Sequence, residues 1–432
     1  MSLMAGVARE IITPKTGSFL FGYHDHCVSH SVHDQLTVTA LALESDGVKI
    51  LLLGATVCLF DNALAGEIRV KAGAAAGIPA EQVILGATHT HSGPRTDGFA
   101  KWGEIDRPYC DSILIPKCIA AARAAASGMQ PVKTGIGVTE SKTGINRRQL
   151  LRDGKVILGQ NPWDVYDSAM TVISFVSEDT GENTGSGTKT LANIIHIGAH
   201  CTAAGISREI SRDWAGVMAD RLEKQSGGIS LFFNGTAGDI APRMANGGST
   251  GNMELAMEVG GMAGIDAVRA WKSIRTFRDE KLSFICGNIE IPFEPAIPAE
   301  AIPGRLAKLR EGWNWERFSL ERLAEQYESG KLGPDSLSFR QTVVRLGPAV
   351  FVPFPFETCT EIGLRLRHYS PFANTLLFSC TNGSNSYLPA QSQLCRGGYE
   401  TESFRWFRTR QLPDNTDTII IEKNLQLMEN LK

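Results

Sequence analysis

The chain has 432 residues, 43% of them hydrophobic and 21% charged, with a formal net charge of −3. Such a composition belongs to a folded protein with a sizeable core, and the near-balanced charge leaves no electrostatic footprint for DNA, RNA or an anionic membrane. No apolar run approaches the ~18 residues that a membrane span needs. The nine cysteines show no CxxC spacing, and Cys58, Cys286 and Cys380 sit in apolar runs, so they read as reduced core thiols, not a disulfide framework. The N-terminus lacks a basic segment followed by an apolar stretch. The expected compartment is the cytoplasm, with a removed signal peptide as the alternative.

Short apolar runs alternate with helical patterns along most of the chain. Residues 49–59 suit a buried strand, 62–76 an Ala-rich helix, and 82–87 a second strand that ends in a polar loop. A helix follows over 109–126. Strands are expected at 191–199 and 229–233, with Asp213 as N-cap of a helix to about 225 between them. The last clear strands are 349–352 and 375–379, with 357–368 helical between them. Segments 280–293 and 340–352 read as consecutive strands, which favours mixed sheets over parallel ones. The fold class is therefore α/β in the mixed α+β sense: mixed β-sheets covered by helices, in one domain over 1–432. Within it, 296–335 is a charged helical arm with Trp313, Trp315 and Phe318 near its middle. An arm over the site, a dimer contact and a surface hairpin are all open for it.

Metal-capable side chains recur where these strands end, which is where ligand sites gather in α/β architectures. His89 and His91 are two apart in an extended segment, so both can face one side. His196 and His200 also have even spacing. Glu357 follows Val352-Pro353-Phe354-Pro355-Phe356, a setting in which a carboxylate needs a partner. Taken singly, each has a bland reading as a satisfied core or loop residue.

Taken together they resemble a known family. Thr88-His89-Thr90-His91-Ser92-Gly93-Pro94 resembles the THTHSGP signature of the neutral/alkaline ceramidases. Ala5-Gly6-Val7-Ala8 with Ile12-Thr13-Pro14 and Gly22-Tyr23 is similar to the family's opening. Ile145-Asn146-Arg147-Arg148 with Asn161-Pro162 and Asp167 resembles its central segment. His200-Cys201-Thr202, Gly238-Asp239-Ile240-Ala241-Pro242, Phe356-Glu357-Thr358, Asn385-Ser386-Tyr387 and Gly398-Tyr399-Glu400 follow in the family's order. The likeness spans about residues 5 to 400 and covers only the family's N-terminal catalytic portion.

The resemblance implies one Zn2+ held by His89, His200, Glu357 and Tyr387. Two imidazoles and a carboxylate are a set used where zinc keeps a position open for water. It further implies His91 as the proton-moving group, and Arg147, Tyr399 and Gly22 around the reacting centre. Other readings stand beside these. Arg147 pairs with Asp167, the tyrosines are packing residues, His196 is a core residue, and Asp239 shapes its own turn.

Two departures bear on the substrate. Ala241 stands where the family has a serine that touches substrate, a loss worth about 10²–10³ in rate. His24, Asp25 and His26, with His30 and His33 nearby, follow Gly22 where the family has small or apolar residues. They are expected to form a polar substrate wall; a second metal site or a plain surface loop are the alternatives. The expected function is a zinc-dependent hydrolase in which activated water attacks an amide or related carbonyl. The expected partner is a small polar substrate (an N-acyl amine or a sugar-like lactone), not membrane ceramide, nucleic acid or a transmembrane segment. A homo-oligomer remains open. The alternatives are a non-catalytic descendant that binds ligand or zinc, and a metal-free structural protein.

Overall fold

The computed structural model describes residues 2–98, 102–179, 187–312 and 314–432. Three sheets form its frame. In the first, the order is Val83–Ala87, Val48–Ala55, Thr37–Ser45, Met4–Ile11, Gln130–Pro131; in the second, Ile229–Asn234, Gly187–Ile197, Ala169–Asp179, Lys133–Glu140; in the third, Leu282–Pro292, Ser336–Leu346, Ala349–Pro353, Asn374–Phe378. Each sheet is antiparallel except for one parallel pair at an edge: Val48–Ala55 with Val83–Ala87, Gly187–Ile197 with Ile229–Asn234, and Ala349–Pro353 with Asn374–Phe378. The expected mixed sheets are present.

Strand periodicity explains how the sheets stack, because successive side chains point to opposite faces. Leu41, Leu43, Ile50, Leu52 and Ile84 of the first sheet meet Ile194 and Phe233 of the second and Phe351 and Phe378 of the third in one central core. Rings stack there, with centroids 4.4 Å apart for Phe233–Phe378 and 5.3 Å for Phe351–Phe378. The opposite faces receive helices. Leu51, Leu53 and Leu85 pack on helices Asn62–Ala76 and Ile115–Ser127. Val172, Ile195 and Phe232 pack on Asp213–Ser226 and Met253–Lys272, while Val350, Val352 and Leu377 pack on Thr360–Tyr369 and Thr416–Glu429.

Helix Asn62–Ala76 lies where the sequence placed it. Asp61 caps it, accepting from Ala63 N at 2.8 Å and Leu64 N at 3.1 Å, and left-handed Gly77 ends it. Elsewhere boundaries moved. Glu357 was expected in a helix but lies in the two-residue strand Glu357–Thr358, paired with Tyr387–Leu388, and the helix begins at Thr360. Asp213 is the first helical residue, not the cap. It holds φ 56 and accepts from the backbone nitrogens of Ala203 and Ala204, tying the helix to another loop. Cys286 is only half-buried, not a core thiol, and Cys395 is exposed; all nine cysteines are free. The 296–335 segment contains helices Ile302–Leu306 and Trp315–Ser329 with a small core of Ile302, Leu320 and Leu323. Trp315 packs into the core of the first sheet's helix layer, and Trp313 lies outside the described residues. No helix among the described residues is long and apolar enough to cross a membrane.

Phe378 lies in the core shared by the three sheets and stacks on Phe233 of the second and Phe351 of the third. Phe378→Ala is expected to lower stability by about 3–5 kcal/mol, read as a shift of the midpoint in denaturant unfolding. A change under about 1 kcal/mol would mean that the three-sheet core is not the stabilising centre.

Candidate metal centre and its surroundings

The three parallel strand pairs bring their C-terminal ends to one place. Val83–Ala87 runs into Thr88 and His89, Gly187–Ile197 into His200, and Ala349–Pro353 into Glu357; Asn374–Phe378 leads on to Tyr387. His89 holds φ 71, a left-handed conformation that costs a non-glycine residue about 1–3 kcal/mol.

Main-chain carbonyls orient both rings. A carbonyl can only accept, so Nδ1 of His89 donates to Cys58 O at 3.0 Å, and Nδ1 of His200 donates to Ala237 O at 2.6 Å. Each ring then turns Nε2 toward the Glu357 carboxylate. Nε2 of His89 lies 3.2 Å from Oε2, and Nε2 of His200 lies 3.1 Å from the same oxygen. The Tyr387 hydroxyl is 3.3 Å from Nε2 of His200, and its ring is stacked parallel to that imidazole. All four side chains are buried.

Such converging acceptors repel one another unless something positive lies between them, either a shared proton or a divalent cation. Burial opposes ionisation of Glu357, but the imidazoles of His89 and His200 hold its carboxyl well below the usual range. Burial, aided by the Arg147 charge, lowers His200 to about 4, so its ring is neutral, as a metal ligand must be. Zinc bonds of about 2.1 Å at tetrahedral angles separate ligand atoms by about 3.4 Å, close to the 3.1 and 3.2 Å found here. His89, His200 and Glu357 thus form a group able to hold a metal ion. Cys58, His89 and His91 form a second such group. It suits a cation less well, because burial raises the Cys58 thiol and Nδ1 of His89 is already committed to a carbonyl.

His91 stands beside this cluster, its Nε2 3.3 Å from Nε2 of His89. Its Nδ1 is buried without a partner among the described residues. Burial, then the two neighbouring imidazoles, push its pKa well below the ordinary value, so the ring is neutral. Gly22 explains how the chain passes so close. Its φ is +120, and a Cβ there would stand 2.4 Å from Nδ1 of His91.

Two solved structures share this architecture. A structure titled ceramidase complexed with C2 superposes with a TM-score of 0.75 at 17% identity, covering 100% of this chain and 75% of that one. The neutral ceramidase from Pseudomonas aeruginosa gives 0.74 at 17% identity, covering 99% and 74%. The chain has the neutral ceramidase fold. No protein-family model matches the sequence, and no curated protein matches it significantly.

Within this ceramidase fold the remaining expected residues divide into two groups. Arg147 reaches the cluster: its Nη2 donates to the Tyr387 hydroxyl at 3.1 Å and its Nε to Glu400 at 2.8 Å. Arg148 donates to the other Glu400 oxygen at 2.7 Å. Burial works against the Glu400 charge, but the two guanidiniums outweigh it and keep the carboxyl below its usual range. The alternative pairing of Arg147 with Asp167 is not found, since Asp167 holds Arg367 at 2.8 and 3.0 Å. Glu400 was not anticipated as a site residue. The adjacent arginines at 147 and 148 were its signal, since a buried pair of cations demands a buried anion. His196 is a core residue, donating from Nε2 to Leu377 O at 2.8 Å. Asp239 does more than shape its turn: it accepts from Thr360 N at 2.8 Å and from Gln393 Nε2 at 2.9 Å, joining three segments.

A cavity of about 120 Å3 opens onto His89, His91, Arg147, Glu357, Tyr387, Tyr399 and Gly22, with Tyr23, Leu59, Trp102 and Leu158 among its other walls. The expected polar wall of His24, Asp25 and His26 is absent from that lining. The chain leaves the cavity after Tyr23, and these side chains remain partly or fully in water, where His26 and Asp25 pair at 3.3 Å. No metal-capable group forms there among the described residues. Tyr23 takes the wall instead, its ring centroid 4.9 Å from that of His91. Ala241, expected to meet substrate, is fully buried opposite Ile145 in a short antiparallel pair and does not line the cavity.

Two outcomes follow from this geometry. Gly22→Ala is expected to displace His91 and lower the melting temperature; an unchanged melting temperature would contradict the close approach. Asp97 is buried, and that burial raises its carboxyl to about 7, against about 3.9 in the unfolded chain. With the folded value the higher, its contribution to stability is complete below about pH 4 and is lost as pH rises through 7. The melting temperature should therefore fall between pH 5 and 8, and fall less in Asp97→Asn.

Proposed function

We propose that the chain is a zinc-dependent hydrolase acting on an amide or a related ester or lactone carbonyl of a small substrate. The observation that carries the proposal is the approach of Nε2 of His89 and Nε2 of His200 to Oε2 of Glu357, at 3.2 and 3.1 Å, with each ring's other nitrogen spent on a main-chain carbonyl. Outer partners of this kind fix tautomer and ring orientation in metal sites. Tyr387 is the fourth, adjustable ligand of the set. Zinc held there supplies Lewis acidity and makes water acidic near neutral pH.

The chain's own groups do the rest. Neutral His91, beside the cluster, accepts a proton from the attacking water and returns it to the leaving group. Tyr399 and Arg147 line the same cavity and donate to the oxygen on which charge develops. Glu400 positions Arg147 from behind, leaving a net positive charge from the Arg147–Arg148–Glu400 triad near that oxygen. Leu59, Trp102 and Leu158 give part of the cavity wall an apolar surface, which strengthens these contacts. Its volume of about 120 Å3 holds about four waters, which supports a short acyl group or a compact lactone over a long chain. The polar character of the substrate rests on Arg147, Ser249 and Thr250 at the cavity wall, not on His24, Asp25 or His26.

Metal analysis of the purified protein should give about one zinc per chain, and His200→Ala or Glu357→Gln should remove it. A panel of N-acyl amines, esters and lactones should show turnover that a chelator abolishes and zinc restores. Tyr399→Phe should lower kcat by about 10²–10³ while zinc content stays unchanged. Zinc bound with no turnover of any panel member would favour the non-catalytic binding descendant instead. Full activity in the metal-free His200→Ala protein would remove the proposed site altogether.

A further inference from the structure

A second concavity lies apart from the His89, His200 and Glu357 cluster. It is an open groove of about 1100 Å3 between helix Trp315–Ser329, the loop at Gly103–Ile105 and residues Phe407–Arg410. Its walls alternate between rings and cations. Phe293, Phe318 and Phe407 supply the apolar surface, and Arg322, Arg408 and Arg410 the charge.

The charge is poorly neutralised. Arg410 pairs with Asp335, whose side chain is almost wholly in solvent. Arg322 has no carboxylate within ion-pair distance among the described residues; it donates to Phe407 O at 3.4 Å and lies 5.0 Å over the Phe318 ring. Arg408 likewise lacks a carboxylate. It donates through Nη2 to Asn385 O, while its buried Nη1 has no acceptor among the described residues. Burial without a counter-charge lowers the Arg408 pKa to about 10. The groove's lining holds four arginines and one acid, Glu104; Arg107 is paired with Glu67 and Asp111, and Glu325 lies near Arg322. A buried guanidinium without an anion is costly, and the usual remedy is an oxyanion received in its fork.

We propose that this groove is a second binding site, separate from the metal cluster, for a small amphiphile that joins an aromatic or apolar body to a carboxylate or phosphate. The body lies against Phe293, Phe318 and Phe407, and the oxyanion is held between Arg322 and Arg408. Rings placed beside guanidiniums recognise this combination, because each ring covers an apolar face while the cation takes the charged end. The site stands independently of the hydrolase reading, since none of its residues touches the His89, His200 and Glu357 cluster.

Calorimetric titration of the zinc-loaded protein with 1-naphthoate, 1-naphthyl phosphate and neutral 1-naphthol tests the site. At least one anion should bind about tenfold or more tightly than naphthol, and the stronger of the two identifies the oxyanion as carboxylate or phosphate. Arg322→Gln, at an exposed position where folding is not at stake, should weaken that binding about tenfold, and Arg408→Gln should do the same. His200→Ala should leave it unchanged, which separates this groove from anion binding at the metal. Naphthol binding as tightly as both anions would overturn the proposal. So would an unchanged Kd in Arg322→Gln, or loss of binding in His200→Ala.

Discussion

Everything at the centre of this molecule depends on holding three acceptor atoms closer together than they would stay alone. Two imidazole nitrogens face one carboxylate oxygen at 3.1 and 3.2 Å, in a buried setting where water cannot spread the charge. Without a proton or a cation shared among them, electrostatics would push them apart. They stay because each comes from the end of a strand in a different sheet, and the sheets are locked by a shared apolar core. Packing energy is in this way converted into an electrostatic demand, which a shared proton or a cation can answer.

The demand extends outward in a second ring of charge. Glu400 is fully buried between Arg147 and Arg148, and Arg147 in turn touches the Tyr387 hydroxyl. Removing Glu400 would leave two buried guanidiniums without their shared carboxylate, whereas removing either arginine leaves Glu400 one partner. Gly22 completes the arrangement from the other side, since only a residue without a side chain lets the backbone lie against His91. The groove lined by Arg322 and Arg408 obeys the opposite logic. There Arg322 and Arg408 have no carboxylate partner among the described residues, and the shape is open where the His89, His200 and Glu357 cluster is closed.

Much of this was legible in the sequence, and the reasons for success and failure differ residue by residue. The helix Asn62–Ala76 was readable because its cap, Asp61, and its stop, Gly77, are both local signals. His89, His200, Glu357 and Tyr387 were named from motif order, and the structure brings them together, as it does His91, Arg147, Tyr399 and Gly22. Four long strands, Met4–Ile11, Thr37–Ser45, Lys133–Glu140 and Ala169–Asp179, were missed. Thr37–Ser45 forms a hairpin with Val48–Ala55 across Asp46-Gly47, a local signal that was overlooked; the other three take cross-strand partners from more distant segments, which a local window does not contain. His24, Asp25 and His26 were misplaced for a related reason. Their neighbour Gly22 does abut the site, but one turn of backbone after Tyr23 carries them into solvent. Glu400 was quoted only as part of a motif because its importance lies in two arginines over 250 positions earlier.

The two carbonyls that orient the His89 and His200 rings have a consequence for how the site can change. They belong to Cys58, Ala237 and their peptide planes, not to side chains, so no single codon change can delete them. Substitutions at 58 or 237 alter what hangs from the chain but leave the acceptor where it is. Ring orientation is therefore inherited with the backbone trace. Drift in amino-acid identity can run far before the geometry at the heart of the protein is disturbed.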